Sequence, residues 1–291
     1  MFKNFFLGLL ALFFVSTATK AQQSLPDTML WKIEGNELEQ PSYLFGTIHA
    51  SCSVNISDKI KKALGEVTAL VMEVDLNDMS SMMSQDAISA MMIGGGKTWK
   101  DHLTEEEYKE VKAFFADFES VNVAMVQMMK PNLVSAMLVK DLVSCNLDAY
   151  ETQLNSYAKK KELKILGLET MMEQLQMLSG EDLESQFENF VEMTALPKEE
   201  HEQMMTDMMR LYDEERLVEL YEFITAENAI NDMIDQQRML DDRNIDWIPK
   251  LNVIMTEQPA FVAVGAGHLA GEKGVINLLK EAGYTLTPIM D

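Results

Sequence analysis

Short runs of consecutive apolar residues recur along the chain and predict β-strands. Two of these runs are each followed by a Gly-x-x-His motif, at residues 46–49 and 265–268. In open α/β folds, the turn after a strand places reactive groups at the carboxyl edge of the sheet. The repeated pattern therefore predicts that His49 and His268 come together at that edge. The predicted strands are residues 30–33, 42–45, 69–75, 163–169, 261–264 and 284–289.

Between these strands the apolar residues follow a helical period, which predicts two long insertions at about 77–160 and 170–256. Within the first insertion, Thr104 and Glu107 have the spacing of a capping box and predict the start of an amphipathic helix. A shorter helix at 58–65 joins two strands, which favours a βαβ unit with a parallel pair. The sequence thus predicts an α/β fold with a central, mostly parallel sheet built from both chain ends and with large helical insertions.

The first 21 residues have the features of a secretory signal peptide. Lys3 gives a positive start, residues 5–15 are apolar but too short to span a bilayer, and Ala21 is a small residue suited to cleavage. We therefore expect cleavage near Ala21 and a secreted or periplasmic mature chain, residues 22–291, that forms a single domain. No later stretch of the sequence is apolar for long enough to predict a membrane span.

The chain is strongly acidic, with 24 Lys and Arg residues against 47 Asp and Glu residues and a formal net charge of -23. A surface of this charge repels phosphate backbones and anionic lipid headgroups. Nucleic acid is therefore excluded as an expected partner, whereas a peptide or small-molecule substrate is not. Acidity by itself identifies no ligand, and the oligomeric state stays open.

The two cysteines, Cys52 and Cys145, allow two interpretations. In an oxidising compartment a single disulfide is the simplest arrangement, with a pair of inert thiols as its variant. Alternatively, Cys52 follows His49 by three residues and could bind a metal. A His-x-x-Cys step without a second such step is a weak zinc signal, so the first interpretation is favoured.

Methionine is unusually frequent, with 24 residues that include the adjacent pairs 204–205 and 208–209. One interpretation is an adaptable apolar groove that binds peptides or another hydrophobic ligand. The other is a helical core in which methionine fills irregular space. Adjacent residues on a helix cannot both face one groove, so the sequence favours the core.

The residues that could carry chemistry lie at predicted strand ends and in the last long helix. Imidazole is both the commonest metal ligand and the usual general base near neutral pH, which makes His49 and His268 the leading candidates. Glu73 and Glu169 end apolar strands and would meet them at the same edge. Two histidines with one or two carboxylates form a divalent-metal site, or a base with its orienting partner. The pair Arg243 and Asn244 could bind a substrate carboxylate or stabilise an oxyanion, although on its own the pair is a weak signal.

Two further patterns receive other interpretations. His102 precedes a capped helix and His201 stands among glutamates, so both are expected at the surface. The segment Gly265-x-Gly267-x-x-Ala270 matches the dinucleotide fingerprint, but the chain ends about one βαβ unit later and leaves no room for a nucleotide-binding half. We interpret that match as a by-product of a tight turn between a strand and a helix.

Five segments together resemble the TraB/GumN family. They are LFGTIH at 44–49, LVMEVD at 70–75, LGLET at 166–170, DRN at 242–244 and VGAGHL at 264–269. They occur in the family's order and span nearly the whole mature chain. That family is related to the Tiki extracellular proteases, and the resemblance implies an α/β fold distantly similar to the erythromycin-esterase and haem-binding ChaN groups.

The resemblance also implies a metal-dependent hydrolytic site that contains His49, His268 and Glu73. We therefore hypothesise an exported metal-dependent hydrolase, acting on peptides, in which these three side chains hold a divalent metal ion. Glu73, Arg243 and Glu169 are the expected catalytic residues. The alternative is a non-catalytic protein that binds a signal peptide, haem or another hydrophobic ligand. The sequence determines neither the metal nor the substrate.

Overall fold

One mixed β-sheet forms the centre of the protein. The structure is a computed structural model that describes residues 25–78, 84–119, 121–143, 145–180, 182–226 and 235–290. The predicted signal peptide lies outside these residues and stays a prediction. The strands are β1 (Leu30–Gly35), β2 (Ser42–Thr47), β3 (Ala69–Val74), β4 (Lys164–Glu169), β5 (Ala260–Gly265) and β6 (Tyr284–Pro288). They lie side by side in the order β4-β3-β5-β2-β1-β6.

Twelve α-helices accompany the sheet in the described part of the chain, and most of them fall in the two predicted insertions. Within those residues, no helix combines the length and the apolar character needed to cross a bilayer. The helices are α1 (Asp58–Leu64), α2 (Gln85–Met91), α3 (Glu105–Phe114), α4 (Val123–Val126), α5 (Pro131–Met137), α6 (Tyr150–Lys161), α7 (Met171–Ser179), α8 (Leu183–Ala195), α9 (Lys198–Asp213), α10 (Leu217–Thr225), α11 (Asp242–Glu257) and α12 (Val275–Glu281).

The pairing of the strands confirms the predicted α/β class. β5 pairs in parallel with both β2 and β3, and β3 pairs in parallel with β4. β1 is antiparallel to both β2 and β6. One detail of the prediction is wrong: β2 and β3, which α1 connects, are not paired, because β5 lies between them. A strand from the far end of the chain separates the two, and local sequence carries no record of such an insertion.

The three strands β3, β5 and β2 lie in the middle of the sheet, and their side chains are mostly apolar on both faces. Every residue of β2, β3 and β5 is buried. A strand of this kind needs cover on both sides, which the helices of an α/β fold supply. β4 and β6 have exposed positions and occupy the two edges of the sheet.

The predicted capping box at the start of α3 is present. The Thr104 hydroxyl accepts a hydrogen bond from the Glu107 backbone N–H, and the Glu107 carboxylate accepts one from the Thr104 backbone N–H at 2.8 Å. A second box, formed by Thr170 and Glu173, begins α7 immediately after β4. Each box satisfies backbone N–H groups that have no partner inside the helix, which fixes where the helix begins.

The buried apolar residues form two separate clusters. The larger cluster contains the sheet and the helices packed on it, with Trp31, Phe45 and Trp247 fully buried. The smaller cluster lies among helices of the two insertions, around Trp99 and Phe190. The site described below belongs to the first cluster, because its residues follow the central strands.

His201 is buried and His102 is partly buried with its side chain covered, so the prediction that both lie at the surface is wrong. His201 is 4% exposed, and its Nε2 lies 3.1 Å from the Met193 carbonyl oxygen. The His102 side chain is 7% exposed, and its ring stacks on Phe187. Their sequence neighbours are charged, but the turn of the chain directs each ring toward an apolar partner instead of solvent.

The two cysteines form a disulfide. Cys52 and Cys145 are bonded with their Cα atoms 5.6 Å apart. This confirms the favoured interpretation, and the alternative in which Cys52 binds a metal is wrong, because its sulfur is already covalently paired. The bond lies three residues beyond His49.

Candidate functional site

The two Gly-x-x-His motifs meet at one edge of the sheet, as predicted. His49 follows β2 and His268 follows β5, and these two strands are parallel neighbours in which Thr47 pairs with Gly265. β3 and β4 run in the same direction and deliver Glu73 and the Glu169 carboxylate to the same edge. Parallel strands bring their carboxyl ends together, which explains why residues more than two hundred positions apart become neighbours.

Gly265 marks the point at which these side chains converge. A Cβ atom built on Gly265 would lie 3.3 Å from Glu73 Oε1, 3.5 Å from His268 Cδ2 and 3.6 Å from His49 Nε2. The space around this glycine is therefore bounded by one carboxylate and two imidazoles. A larger residue here would compete with them for that space.

The Arg243 guanidinium joins the two glutamates of the site. Its Nε and Nη2 donate to Glu169 Oε1 and Oε2 at 2.8 and 2.9 Å, in a bidentate pair. Nη2 also donates to Glu73 Oε2 at 2.7 Å. Nη1 donates to the Met239 carbonyl oxygen at 3.0 Å and to His268 Nε2 at 3.1 Å. Arg243 thus uses all five of its N–H groups and binds every part of the site except His49.

A turn of π-helix at Gln237–Asp241 immediately precedes α11 and helps to place Arg243. The Met239 carbonyl oxygen within this turn accepts from Arg243 Nη1. Single π turns in an α-helix are frequent at functional sites, because the extra residue redirects the side chains that follow. Sequence gave no sign of this turn, since its residues also suit an ordinary helix.

Glu169 serves mainly to hold Arg243. Both of its oxygens accept from the guanidinium, and Oε1 also accepts from Trp247 Nε1 at 2.8 Å. The carboxylate is therefore fully engaged by two neighbours on α11. This arrangement suits an orienting partner better than a reacting group, and a catalytic role for Glu169 stays a prediction.

His268 is fixed as a neutral ring with its Nε2 lone pair toward Arg243. Its Nδ1 lies 2.7 Å from Asn244 Oδ1, while the Asn244 amide nitrogen donates to the Lys273 carbonyl oxygen at 2.9 Å. The amide oxygen is thus the acceptor, which puts the proton on Nδ1. Burial and, less strongly, the charges of Arg243 and His49 lower the pKa of His268 to about 3. At neutral pH the ring is uncharged.

Glu73 is buried and ionised. Its Oε1 accepts from the Gly265 backbone N–H at 2.7 Å, and its Oε2 accepts from Gln174 Nε2 at 3.0 Å as well as from Arg243. Burial alone would raise the pKa of Glu73, but the neighbouring histidines, the Arg243 charge and the Gly265 N–H outweigh it and lower the pKa to about 2. A carboxylate with so low a pKa is a poor proton acceptor and a good source of fixed negative charge.

His49 is the exposed member of the site, with 68% of its side chain open to solvent. Its Nδ1 lies 2.9 Å from Glu151 Oε1, and the Thr47 hydroxyl donates to the same oxygen at 2.6 Å. Loss of water on the side of the ring that faces the protein lowers the pKa of His49, but the bond to Glu151 and the charge of Glu73 outweigh it, so the net direction is upward. The site therefore favours the imidazolium form of His49.

A family model described as the TraB/PrgY/gumN family matches residues 29–288. The chain belongs to the TraB/PrgY/gumN family. This confirms the resemblance read from the five sequence segments. No curated protein and no solved structure matches the chain.

The site of this TraB/PrgY/gumN family member contains imidazole and carboxylate groups, which are donor types that divalent metal ions bind. Each imidazole engages Nδ1 with an oxygen acceptor, Glu151 for His49 and Asn244 for His268, so Nε2 is the nitrogen that faces the centre of the site. Metal-binding histidines are commonly oriented in this way. Because the pKa of His49 is raised, a metal ion would have to displace the proton from His49 Nε2. In the arrangement described, Arg243 Nη1 occupies the His268 lone pair. Within the described residues, no three His, Cys, Asp or Glu side chains are close enough to form a metal-binding group.

An apolar cavity of about 320 Å³ opens onto the histidines and Arg243. Met205 and Met208, one from each of two adjacent methionine pairs, line this cavity, whereas others, such as Met193 and Met255, are buried in the cores. That the cavity binds a peptide or another hydrophobic ligand stays a prediction. A second cavity of about 280 Å³ shares Tyr212 with the first but contains none of the five predicted site residues. The apolar walls of the first cavity include Met205, Met208, Leu220, Ile224, Met239 and Leu240.

One functional residue, Glu151, was missing from the sequence interpretation, and it lies in the first turn of α6. Asn244 was named beside Arg243 as a possible contact for the substrate, but its hydrogen bond to His268 was not predicted. Glu151 carried no signal, because only the packing of α6 against the loop after β2 brings it to His49.

Proposed function

We propose that this TraB/PrgY/gumN family member is an exported metal-dependent hydrolase that cleaves peptides. The observation that carries the proposal is the convergence of His49 Nε2, His268 and Glu73 around Gly265, with each ring oriented through Nδ1. His49, His268 and Glu73 would hold a divalent ion. When bound, such an ion lowers the pKa of its water to about 7 and so supplies hydroxide near neutral pH.

Glu73 would act in this site as a fixed negative charge and not as a group that transfers protons. Its pKa is lowered to about 2, so the carboxylate stays ionised at neutral pH and favours a cation beside it. The Gly265 N–H and Gln174 hold the two oxygens in place. We therefore assign Glu73 to cation binding, because a carboxylate with so low a pKa is poorly suited to taking a proton.

Arg243 would stabilise negative charge on the substrate through a single N–H group. The bidentate pair with Glu169 and the bonds to Glu73 and the Met239 carbonyl oxygen hold four of its donors. The fifth donor lies on His268 Nε2 at 3.1 Å, the longest of these bonds. Release of that contact frees one Nη1–H for a developing oxyanion and frees the histidine lone pair at the same time.

The apolar cavity supports a peptide substrate with an apolar side chain next to the bond that is cleaved. Its walls begin beside His49 and Arg243 and are formed largely by methionine, leucine and isoleucine. Methionine adapts to side chains of different shape, which allows several apolar residues to bind. The few polar residues in the lining include His49, Arg243 and His268, as expected for a site that binds an apolar group and reacts with a polar one.

The proposal is tested by peptide cleavage with and without a chelator. We expect wild-type protein to cleave members of a peptide library, EDTA to abolish cleavage and added Mn²⁺ or Zn²⁺ to restore it. His49→Ala and His268→Ala should each reduce cleavage by at least about 100-fold, because each removes a ligand of the ion. Circular dichroism checks that the variants fold.

A matched control removes a histidine outside the site. His102→Ala should retain cleavage, since His102 lies in the smaller helical cluster against Phe187. Turnover in either site variant at the wild-type rate, or cleavage that is insensitive to EDTA, would contradict the proposal.

A second function, binding without catalysis, is favoured by the cavity alone. A pocket with apolar walls can hold a hydrophobic ligand such as a signal peptide without cleaving it. In that case purified protein would retain the ligand, and mass spectrometry would recover it intact after incubation. Bound haem would give visible absorbance. Recovery of cleaved peptide favours the hydrolase instead.

A further inference from the structure

Glu151 contacts the site from a distant part of the chain. It lies 102 positions from His49, in the first turn of α6, yet its Oε1 is 2.9 Å from His49 Nδ1. The Thr47 hydroxyl donates to the same oxygen at 2.6 Å. The last residue of β2 therefore holds the carboxylate that faces the histidine two residues later.

The environment of this carboxylate indicates a function beyond packing. Glu151 Oε2 is buried and has no hydrogen-bond partner among the described residues. An unsatisfied buried carboxylate oxygen is costly and calls for an explanation. A glutamine or an apolar side chain at position 151 would fill the same space without placing an unsatisfied carboxylate oxygen in the core. The bond that Glu151 does make is to an exposed ring that contributes little to the core.

His49 depends on Glu151 for its orientation. Within the described residues, Glu151 is the hydrogen-bond partner of the ring, and 68% of the side chain is open to solvent. Packing alone therefore does not fix the two ring torsions. With Nδ1 turned toward Glu151, Nε2 lies 3.6 Å from the Cβ position of Gly265, which is the centre of the site.

Two links tie the segment after His49 to the segment before Glu151. Ser51 and Asp148 exchange backbone hydrogen bonds, each 2.9 Å long. Next to this bridge, Cys52 and Cys145 form the disulfide. Both links lie within six residues of the His49–Glu151 contact along the chain, and they join the same two segments.

We infer that Glu151 is a positioning residue that directs His49 Nε2 toward the centre of the site, and that the Cys52–Cys145 disulfide makes this positioning sensitive to thiols. The inference rests on the proposed function for its catalytic meaning, but the ring orientation itself can be measured without activity. Carboxylates that orient a metal-binding histidine typically change metal affinity or activity about 10- to 100-fold when they are removed.

Reduction of the disulfide is a balanced two-electron step. Dithiothreitol supplies two electrons and two protons, so the S–S bond becomes the thiols of Cys52 and Cys145 while the reagent forms its own cyclic disulfide. The segment that carries His49 is then held to α6 by the Ser51–Asp148 bridge and by Glu151 itself. We expect the ring to become more mobile and the fold to persist.

The experiment follows the His49 ring by NMR in protein labelled with [¹³C]histidine. The chain has four histidines, and the His49 signal is assigned by its loss in His49→Ala. Relaxation of the ring Cε1–H group gives its order in wild type, Glu151→Ala, Glu151→Gln and dithiothreitol-treated protein. Mn²⁺ titration of the same samples gives the affinity for the metal alone.

A matched control uses a histidine–carboxylate contact outside the site. Glu184 Oε1 lies 3.3 Å from His102 Nδ1, beside the smaller helical cluster and not at the strand ends. Glu184→Ala should change the His102 signal and leave both the His49 signal and Mn²⁺ affinity unchanged. If circular dichroism shows that the reduced chain unfolds, Thr47→Val replaces dithiothreitol treatment in the test. This variant removes one hydrogen-bond donor to Glu151 while it keeps the disulfide, and it should also lower the order of the His49 ring.

The expected result is a loss of His49 ring order in Glu151→Ala and in reduced protein, with Mn²⁺ affinity about 10- to 100-fold weaker. Glu151→Gln, which keeps an acceptor oxygen, should restore most of the order, and reoxidation should reverse the effect of dithiothreitol. Unchanged His49 order in Glu151→Ala overturns the inference even if peptides are cleaved. Lost order in a protein that cleaves nothing supports it and contradicts the proposed function instead.

Discussion

Arg243 carries more of the site's structure than any other residue. Its guanidinium lies between the carboxylates of Glu73 and Glu169, and its side chain is only 11% exposed. Buried charges of this kind are stable only as a paired set, because each carboxylate alone has lost the water that would solvate it. The sequence indicated Arg243 only weakly, through its position next to Asn244 in the helix before the second Gly-x-x-His motif. Its central position follows from the packing of α11 against the strand ends.

Removal of Arg243 should therefore destabilise the protein strongly. We expect Arg243→Ala to lower the free energy of unfolding by about 3–5 kcal/mol, since two buried carboxylates lose their partner. Arg243→Lys should recover part of this loss, because an ammonium group keeps the charge but not the bidentate geometry. Urea denaturation measures the change.

The control for this prediction is an exposed arginine. Arg210 pairs with Asp207 and Glu214 on the surface of α9, and its side chain is 51% exposed. Arg210→Ala should lower stability by less than about 1 kcal/mol. Equal losses in the two variants would show that the Arg243 pairs are no stronger than surface pairs.

At the scale of elements, local sequence was a reliable guide. The apolar runs located all six strands that the structure describes, with each end within two residues of its observed position, and the capping box located the start of α3. Both signals are local, because side-chain alternation and cap chemistry depend on residues three or four positions apart. The π turn before α11 and the position of β5 between β2 and β3 depend on distant partners and were not predicted.

The α3 cap gives a prediction at this scale. Thr104→Ala removes the hydroxyl that accepts from the Glu107 N–H, and it should lower the free energy of unfolding by about 0.5–2 kcal/mol. Thr104→Ser keeps the hydroxyl and should stay close to wild type. Because α3 belongs to the smaller helical cluster, the EDTA-sensitive cleavage should be retained in both variants. Thermal unfolding measures the stability of the two variants, and the peptide assay measures their cleavage. A variant that loses cleavage without losing stability would show that the smaller cluster affects the site.

Two histidines of the folded protein, His201 and His268, have lowered pKa values because they are buried, so they stay uncharged at neutral pH. Burial is the main reason that the pKa of His201 and the pKa of His268 are lowered from the ordinary value of 6.5. As pH falls below 6.5, the unfolded chain binds protons at these positions before the folded protein does. Stability is therefore lost on acidification. Glu73, whose pKa is lowered from 4.5 to about 2, adds a further loss below pH 4.5.

We expect the free energy of unfolding of chelator-treated protein to fall between pH 6.5 and pH 5. His201→Asn should make this fall shallower by up to about 1.4 kcal/mol per pH unit, the limit for one titrating group. The net charge of -23 acts in the opposite direction, because acid reduces self-repulsion, so the series is measured in high salt to screen it. Urea denaturation across this pH range is the measurement. A slope in His201→Asn equal to that of wild type would contradict the role given to His201.

The sequence by itself determined the strands, the helical insertions and the Gly-x-x-His motifs at the ends of β2 and β5, because each of these depends on residues that are close together along the chain. Only the tertiary structure decided that β5 separates β2 from β3, that Arg243 fills the space between two glutamates, and that Glu151 orients His49. These contacts join residues about 70 to 200 positions apart, and they exist only once the sheet has brought the strand ends together and the helices have packed on it.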